Sequence, residues 1–329
     1  MMYYIPGAGY DAPLNLALEQ YVFDRLDRGR SYMMLWQNAN AVIVGKHQNT
    51  AAEINAPYVK AHDIQVVRRL SGGGAVYHDL GNVNFTFIAD AAGQQFDFAF
   101  FCHPVVRALR SLGVNAEISG RNDMTIDGMK FSGNAQYIKQ GRVMHHGTIM
   151  FDSDLNVLSQ ALRVSSDKIE SKGLKSIHSR VTNVRPHLAR DCGTEQFIAV
   201  LEAQLKEYFD VWTIPPETIN IDDVRRIREE VYATWEWNYG YSPAYSITKK
   251  RRFDGVGEIE ARMEISDGRI QHLAFFGDFF ARKERAELID LLIGVNLNET
   301  SLEEALLQVS VDDYFQNLGK KDFINLVVG

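Results

Sequence analysis

Residues 120–151 read GRNDMTIDGMKFSGNAQYIKQGRVMHHGTIMF, and their reading decides the fold class. Asp127-Gly128, set between MTI and MKF, is the dipeptide of a two-residue type I′ hairpin, whose two central residues both need positive φ. That turn puts Lys130 directly across from Thr125. A second hairpin joins AQYIKQ to RVMHHGTIMF near Gln140-Gly141. Pairing here is antiparallel, and the rest of the chain lacks the steady βαβα rhythm of a doubly wound parallel sheet. Toward the N-terminus, residues 11–28 (DAPLNLALEQYVFDRLDR) carry Leu14, Ala17, Leu18, Tyr21, Val22 and Leu26 at helical spacing, with Asp11 available as N-cap. SYMMLWQ (31–37), AVIVG (41–45), QVVRRL (65–70) and VNFTFIA (83–89) read as strands. FDFAFFCHPVVRALRSLG (96–113) reads as a helix interrupted at Pro104 and stopped by Gly113, with Cys102 on its buried stripe.

Beyond residue 151, helical patterns cover 194–209 and 222–233, with a Pro215-Pro216 loop between them, and a hairpin is expected around Asp267-Gly268. The expected fold is α+β: a large domain over 1–245 with a mixed, largely antiparallel sheet flanked by helices, and a small α+β accessory domain over 246–329. The basic run Lys249 to Arg252 reads as a solvated face. A length of 329 residues agrees with two domains, at about 150 residues each. With 46% hydrophobic and 23% charged residues, disordered and collagenous classes are excluded. The sequence shows no apolar run long enough to cross a bilayer and no basic-then-apolar leader, so a soluble cytoplasmic protein is expected, with no membrane partner. A net charge of -7 argues against nucleic acid as a partner. The two cysteines, Cys102 and Cys192, form neither a disulfide framework nor a zinc cage.

Chemistry concentrates in two stretches. RRLSGGGAVYHDLGN (68–82) follows a strand with three glycines, which let backbone N–H groups approach an anion, while Arg68, Arg69 and Ser71 add positive charge and a hydroxyl. The spacing is neither GxGxxG nor GxxxxGK[ST]. In the second stretch, Lys130 beside Ser132 and Gly133 offers an ammonium to a phosphate or carboxylate, and Asn122-Asp123 offers hard oxygen atoms suited to Mg2+ carried on a nucleotide. His145 and His146 are strand neighbours on opposite faces, so they do not chelate one ion together.

These segments in order, with HHGT and KGLKSIHSRVTNV (172–184), closely resemble the lipoate–protein ligase A family. NLALEQ (15–20), LWQN (35–38), WEWNYGYSP and FFGDFF extend the resemblance over nearly the whole chain. It implies a biotin/lipoate ligase-like catalytic domain and a two-step, ATP-dependent reaction: lipoate is adenylated with release of pyrophosphate, then the lipoyl group passes to a lysine of an acceptor. The implied acceptors are lipoyl domains of 2-oxoacid dehydrogenase E2 subunits and the glycine-cleavage H protein, and the enzyme is expected to be a monomer. Lys130 matches the family lysine that contacts both phosphate and acyl carbonyl. Arg69, Ser71, Gly72, Gly73, Gly74, Ala75, Val76 and Tyr77 match the lipoyl-adenylate loop, closed by His78. Glu19 and Trp36 match the dithiolane end of the lipoate tunnel, Met144 and His146 its other wall. Asn122 and Asp123 match the segment near the adenylate phosphate and its Mg2+, with Asp123 as the metal contact. Ser132, Gly133 and Ala135 match the turn under adenine and ribose. The small domain is implied to swing about the loop at 238–252. Two rivals stand beside the ligase: an ATP-independent lipoyl or octanoyl amidotransferase working through a cysteine thioester, and a lipoate-binding protein without catalysis. Where amidotransferase relatives carry their cysteine, this chain reads Ile149, Met150, Phe151 and Asp152.

Overall fold

The computed structural model describes residues 2–90, 97–120, 122–162, 181–239, 247–266 and 268–328. Its main sheet has eight strands: β1 (Met2–Pro6), β2 (Ser31–Trp36), β6 (Asn82–Asp90), β7 (Ala116–Ser119), β8 (Asp123–Ile126), β9 (Met129–Lys139), β10 (Arg142–Met150) and β11 (Val211–Thr213). Their spatial order is β11-β1-β2-β6-β10-β9-β8-β7. Only β1 pairs in parallel, with β2 and β11; the remaining pairs are antiparallel. Both predicted hairpins are present, with φ of 50° and 78° at Asp127 and Gly128 and 51° and 77° at Gln140 and Gly141. A second sheet joins β4 (Gln65–Arg68), β3 (Ala41–Val44) and β5 (Val76–His78).

The central strands are buried on both faces, and the alternation of β2 shows how. Met33 and Leu35 join the core under the helices Phe98–Ser111 and Thr194–Phe209, with Phe85, Phe87, Phe101 and Val105. Tyr32, Met34 and Trp36 face the opposite way, against Leu16, Ala17 and Val22 of the helix Ala12–Arg25. That helix begins as expected, with the Asp11 carboxylate accepting from the Leu14 N–H at 3.1 Å. The second helix departs from expectation: it runs unbroken from Phe98 to Ser111 through Pro104. Proline costs one intrahelical bond, and the apolar face formed by Phe101, Cys102, Val105, Val106 and Leu109 holds the segment in place regardless. Gly113 ends it at a φ of 84°.

From Ile247 onward the chain forms a separate core under β12 (Ile247–Phe253), β13 (Gly257–Ser266) and β14 (Arg269–Gly277), an antiparallel sheet packed by Leu288, Leu302, Phe315 and Phe323. The expected loop over 238–252 is therefore half strand, because β12 takes its second part, while residues 240–246 and Asp267 lie outside the described residues. The two bodies meet at the glycine loop. The Gly73 N–H donates to the Phe279 carbonyl at 3.2 Å, the Gly277 N–H donates to the His47 carbonyl at 2.8 Å, and the His47 ring stacks on Phe279 at 4.9 Å. A Cβ at Gly72 would stand 2.3 Å from the Phe279 oxygen, so only glycine lets the loop approach this closely.

Candidate active site

A cavity of about 400 Å³ opens between the main sheet, the glycine loop and the small domain. Strand register builds its floor. Trp36, Asn84 and Thr148 stand side by side across β2, β6 and β10, and Thr86, His146 and Ala135 form the next row. Because side chains alternate, His145 must point the other way, and it lies among Phe85, Phe98 and Phe101 with its Nε2 3.9 Å from the Cys102 sulfur. The expected separation of the two histidines is observed.

Lys130 reaches the cavity through an irregularity. Register shifts between Met124 and Thr125, so that Asp123 pairs with Gly133 and Thr125 with Lys130. The extra residue on β9 leaves Phe131 and Ser132 both fully buried and swings Lys130 onto the face of Gly133 and Ala135. Such a bulge re-aims a side chain at the cost of one ladder pair. The ammonium pairs with the Asp123 carboxylate at 2.7 Å on the cavity wall. A Cβ at Gly133 would lie 3.0 Å from the Lys130 nitrogen, so the ammonium rests directly over this glycine.

Behind the wall runs a buried polar chain. Trp36 Nε1–H donates to Thr86 Oγ1 at 2.9 Å, the Thr86 hydroxyl donates to the Glu19 carboxylate, and His146 Nδ1 lies 3.1 Å from the same carboxylate. His146 Nε2 is 2.6 Å from Ser71 Oγ, which accepts from Arg69 Nε–H at 3.0 Å. A carboxylate, Glu19, thus stands inside the chain and a guanidinium, Arg69, at its far end. Burial lowers the Arg69 pKa to about 10, with Glu19 opposing the shift, so the guanidinium stays charged near neutral pH.

The arginines of the loop do something other than the sequence suggests. Arg68 donates to the carbonyls of Gly45, Lys46, Gln48, Trp237 and Asn238 and to Thr50 Oγ1. Arg69 donates to the carbonyls of Ile43, Gly72 and Gly74 besides Ser71. They hold the loop's shape with donors expected to meet an anion, and the Gly73 N–H is likewise engaged. His78 does face the cavity: its Nδ1 is 3.1 Å from Asn38 Nδ2 and its Nε2 is a buried atom without a hydrogen-bond partner among the described residues.

Of the expected site residues, Trp36, Arg69, Gly73, Gly74, Ala75, Val76, His78, Asn122, Asp123, Lys130, Gly133, Ala135 and His146 line the cavity. Six stand off it. Glu19 and Ser71 act through His146, and Gly72 abuts the Phe279 carbonyl. Tyr77 turns its hydroxyl to Asn40, Met144 is packed with the Ala12–Arg25 helix, and Ser132 accepts from the Asn134 side chain on the inner face. Thr86 went unrecognised, although Asn84 and Thr86 are the polar members of the otherwise apolar VNFTFIA. Arg252, Asp278 and Phe280 also line the cavity and come from the small domain. Within the basic run Lys250 and Arg251 are exposed, as a solvated face requires, and Arg252 departs from it by lining the cavity. Of KGLKSIHSRVTNV, residues 172–180 lie outside the described residues; Val181 bridges to Lys130, whose carbonyl accepts from the Thr182 N–H at 2.9 Å.

Three buried histidines make stability acid-sensitive. Burial lowers the pKa of His78 to about 3 and holds those of His47 and His145 well below 6.5. Below pH 6.5 the unfolded chain takes up protons that the folded chain refuses, so stability falls as the pH drops toward the folded-state values. Each histidine contributes up to about 1.4 kcal/mol per pH unit in that window. Urea unfolding at pH 7.5 and 5.5 is expected to show the loss; equal stabilities would mean these rings protonate without unfolding.

Comparison with known proteins supplies a family. The family described as "Lipoyl protein ligase A/B catalytic domain" matches residues 11–206, and "Bacterial lipoate protein ligase C-terminus" matches residues 242–327. The chain is 43% identical over 321 residues to the lipoate-protein ligase LplJ of Bacillus subtilis, covering 96% of this chain and 97% of the relative. Among solved structures, LipL1 of P. falciparum in complex with lipoate superposes with a TM-score of 0.80 at 22% identity, covering 100% of this chain and 98% of that one. A lipoate-protein ligase A bound with ATP gives 0.60 at 25% identity, covering 73% and 98%. The bi-partite lipoate protein ligase of Thermoplasma acidophilum, reported with its E2 lipoyl domain, gives 0.62 at 26% identity, covering 75% and 98%.

Proposed function

Since this chain belongs to the lipoyl protein ligase A/B family and is a lipoate–protein ligase, we propose that it activates free lipoate with ATP and passes the lipoyl group to a lysine of lipoyl-domain proteins. In the first step a lipoate carboxylate oxygen attacks the α-phosphorus of ATP. A new P–O bond forms, the bond to the β-phosphate oxygen breaks, and pyrophosphate departs with that electron pair. In the second step the acceptor amine attacks the acyl carbon, an amide forms, AMP leaves and the amine gives up a proton.

The observation that carries this reading is Lys130, a cation placed by the β9 bulge on the wall of a cavity also lined by Trp36, Ile43 and Leu16, with a buried polar chain behind it. Apolar side chains such as Leu16, Trp36 and Ile43 beside fixed polar groups suit a fatty acid bearing one carboxylate. Negative charge grows on the α-phosphate in the first step and on the carbonyl oxygen in the second, and one preorganised ammonium serves both. The described residues offer no group of three His, Cys, Asp or Glu able to hold a metal ion. Asp123 is a single carboxylate already paired with Lys130, a donor set that fits Mg2+ arriving on the nucleotide's phosphates, where the metal neutralises charge. On this reading Asp123 contacts the metal, Trp36 and the Glu19–His146 pair shape the dithiolane end, and Gly133 and Ala135 lie under the adenosine.

A thioester route has little to build on. Among the described residues no cysteine lines the cavity; burial pushes the Cys102 thiol up to about 12, and Cys192 sits at a separate hollow beside Arg110 and Leu188. Acceptors in this proposal are E2 lipoyl domains and the glycine-cleavage H protein, met by a cytoplasmic monomer. No helix among the described residues is long and apolar enough to cross a membrane. The test is the intact mass of an apo lipoyl domain after incubation with this protein and lipoate, with and without Mg-ATP, and with a lipoylated donor in place of both. A lipoyl mass gain that needs ATP is the expected result. A gain only from the protein donor would establish the amidotransferase, and none at all a binding protein.

A further inference from the structure

We propose that Arg252 of the small domain is the second cation of the adenylation site, contacting the phosphates that leave as pyrophosphate. The inference rests on the ligase reading above. ATP and lipoate together bring several negative charges into the cavity, yet few of its lining cations have hydrogens to give. The Arg69 guanidinium is occupied by three carbonyls and Ser71, which leaves, among the described residues lining the cavity, Lys130 on the large domain and Arg252 on the small one.

Arg252 is held loosely by the groups around it. Its Nη2 donates to Asp278 Oδ2 at 3.3 Å and lies 4.0 Å from Glu258 Oε2, while Nε is buried with no hydrogen-bond partner among the described residues. Glu258 in turn has its own closer cation, Lys250 at 2.9 Å. Asp278 is fixed by the Glu258 N–H, so it stays put when Arg252 moves. The result is a planar five-donor group at the cavity wall with donor capacity unspent, a geometry suited to phosphate oxygens. Placing it on the small domain couples adenylation to that domain's presence over the glycine loop. Acceptor lysine attack on a finished adenylate releases AMP rather than pyrophosphate, so the second step has no use for Arg252.

The two half-reactions separate this role from a structural one. Arg252→Gln is expected to lower kcat/KM for ATP in lipoate-dependent pyrophosphate release about 10- to 100-fold, with part of the loss recovered in Arg252→Lys. Inhibition by added pyrophosphate should weaken in parallel, and kcat/KM for lipoate at saturating ATP should change much less. Transfer from synthetic lipoyl-AMP to an apo lipoyl domain should stay within about twofold of wild type by the same reasoning. Equal losses in both half-reactions would make Arg252 a prop of the small domain and overturn the inference, as would an unchanged kcat/KM for ATP. Both of these outcomes leave the ligase reading standing. A wild-type protein that releases no pyrophosphate with lipoate and Mg-ATP overturns that reading and this inference together.

Discussion

Lys130→Ala is expected to lower lipoate-dependent pyrophosphate release by about 100- to 1000-fold while leaving the fold intact, the loss typical of removing one preorganised donor to a developing negative charge. Two features make the effect chemical rather than structural. The side chain is 39% exposed and its ion pair with Asp123 is of a kind that contributes at most about 1 kcal/mol. The strand it leaves is anchored independently, by Met129 and Gly133 pairing with β8 and by the Thr182 N–H on the Lys130 carbonyl. Pyrophosphate release and a thermal melt on one sample check both halves. Wild-type release by the folded variant would sink the assignment of Lys130, and a collapsed melt would move the residue from chemistry to structure.

The second large effect belongs to a residue that never meets the cavity. Glu19→Leu removes the acceptor shared by the Thr86 hydroxyl and the His146 ring and leaves the buried Arg69 charge without its opposite. Each buried polar group left without its hydrogen-bond partner costs about 1–3 kcal/mol. The urea midpoint should fall accordingly at unchanged slope. Glu19→Gln, which keeps an acceptor oxygen but loses the charge, should fall between wild type and Glu19→Leu. A Leu variant as stable as wild type would show that the chain Trp36–Thr86–Glu19–His146–Ser71–Arg69 contributes no net stability.

Local signals in the sequence were enough for much of this. Asp127-Gly128 and Gln140-Gly141 specify their turns because few other dipeptides tolerate two successive positive φ values, and both hairpins formed in the expected register. Asp11 and Gly113 bound their helices through short-range hydrogen bonding and backbone freedom. The glycine loop was legible as a place of close approach because Arg68, Arg69 and Ser71 stand beside three glycines that would equally suit a plain turn. What closely approaches it was not: a carbonyl of the small domain, two hundred residues away, takes the Gly73 N–H that an anion was expected to meet.

The amino-acid sequence by itself determined the largely antiparallel class, the small C-terminal domain and, through four motifs in order, the family; these depend on turn chemistry, hydrophobic period and residue identity, all readable within a few positions. Tertiary structure alone decided which way the functional side chains point. Without the bulge, Lys130 would share the face of Ser132 and Asn134 and enter the core; one extra residue on β9, visible only once β8 pairs beside it, turns the ammonium to the cavity. Arg252 follows the same logic at longer range. Its place in a basic run reads as surface, and only the docking of the small domain on the glycine loop brings it to the cavity, because such contacts are set by packing between distant segments rather than by any local pattern.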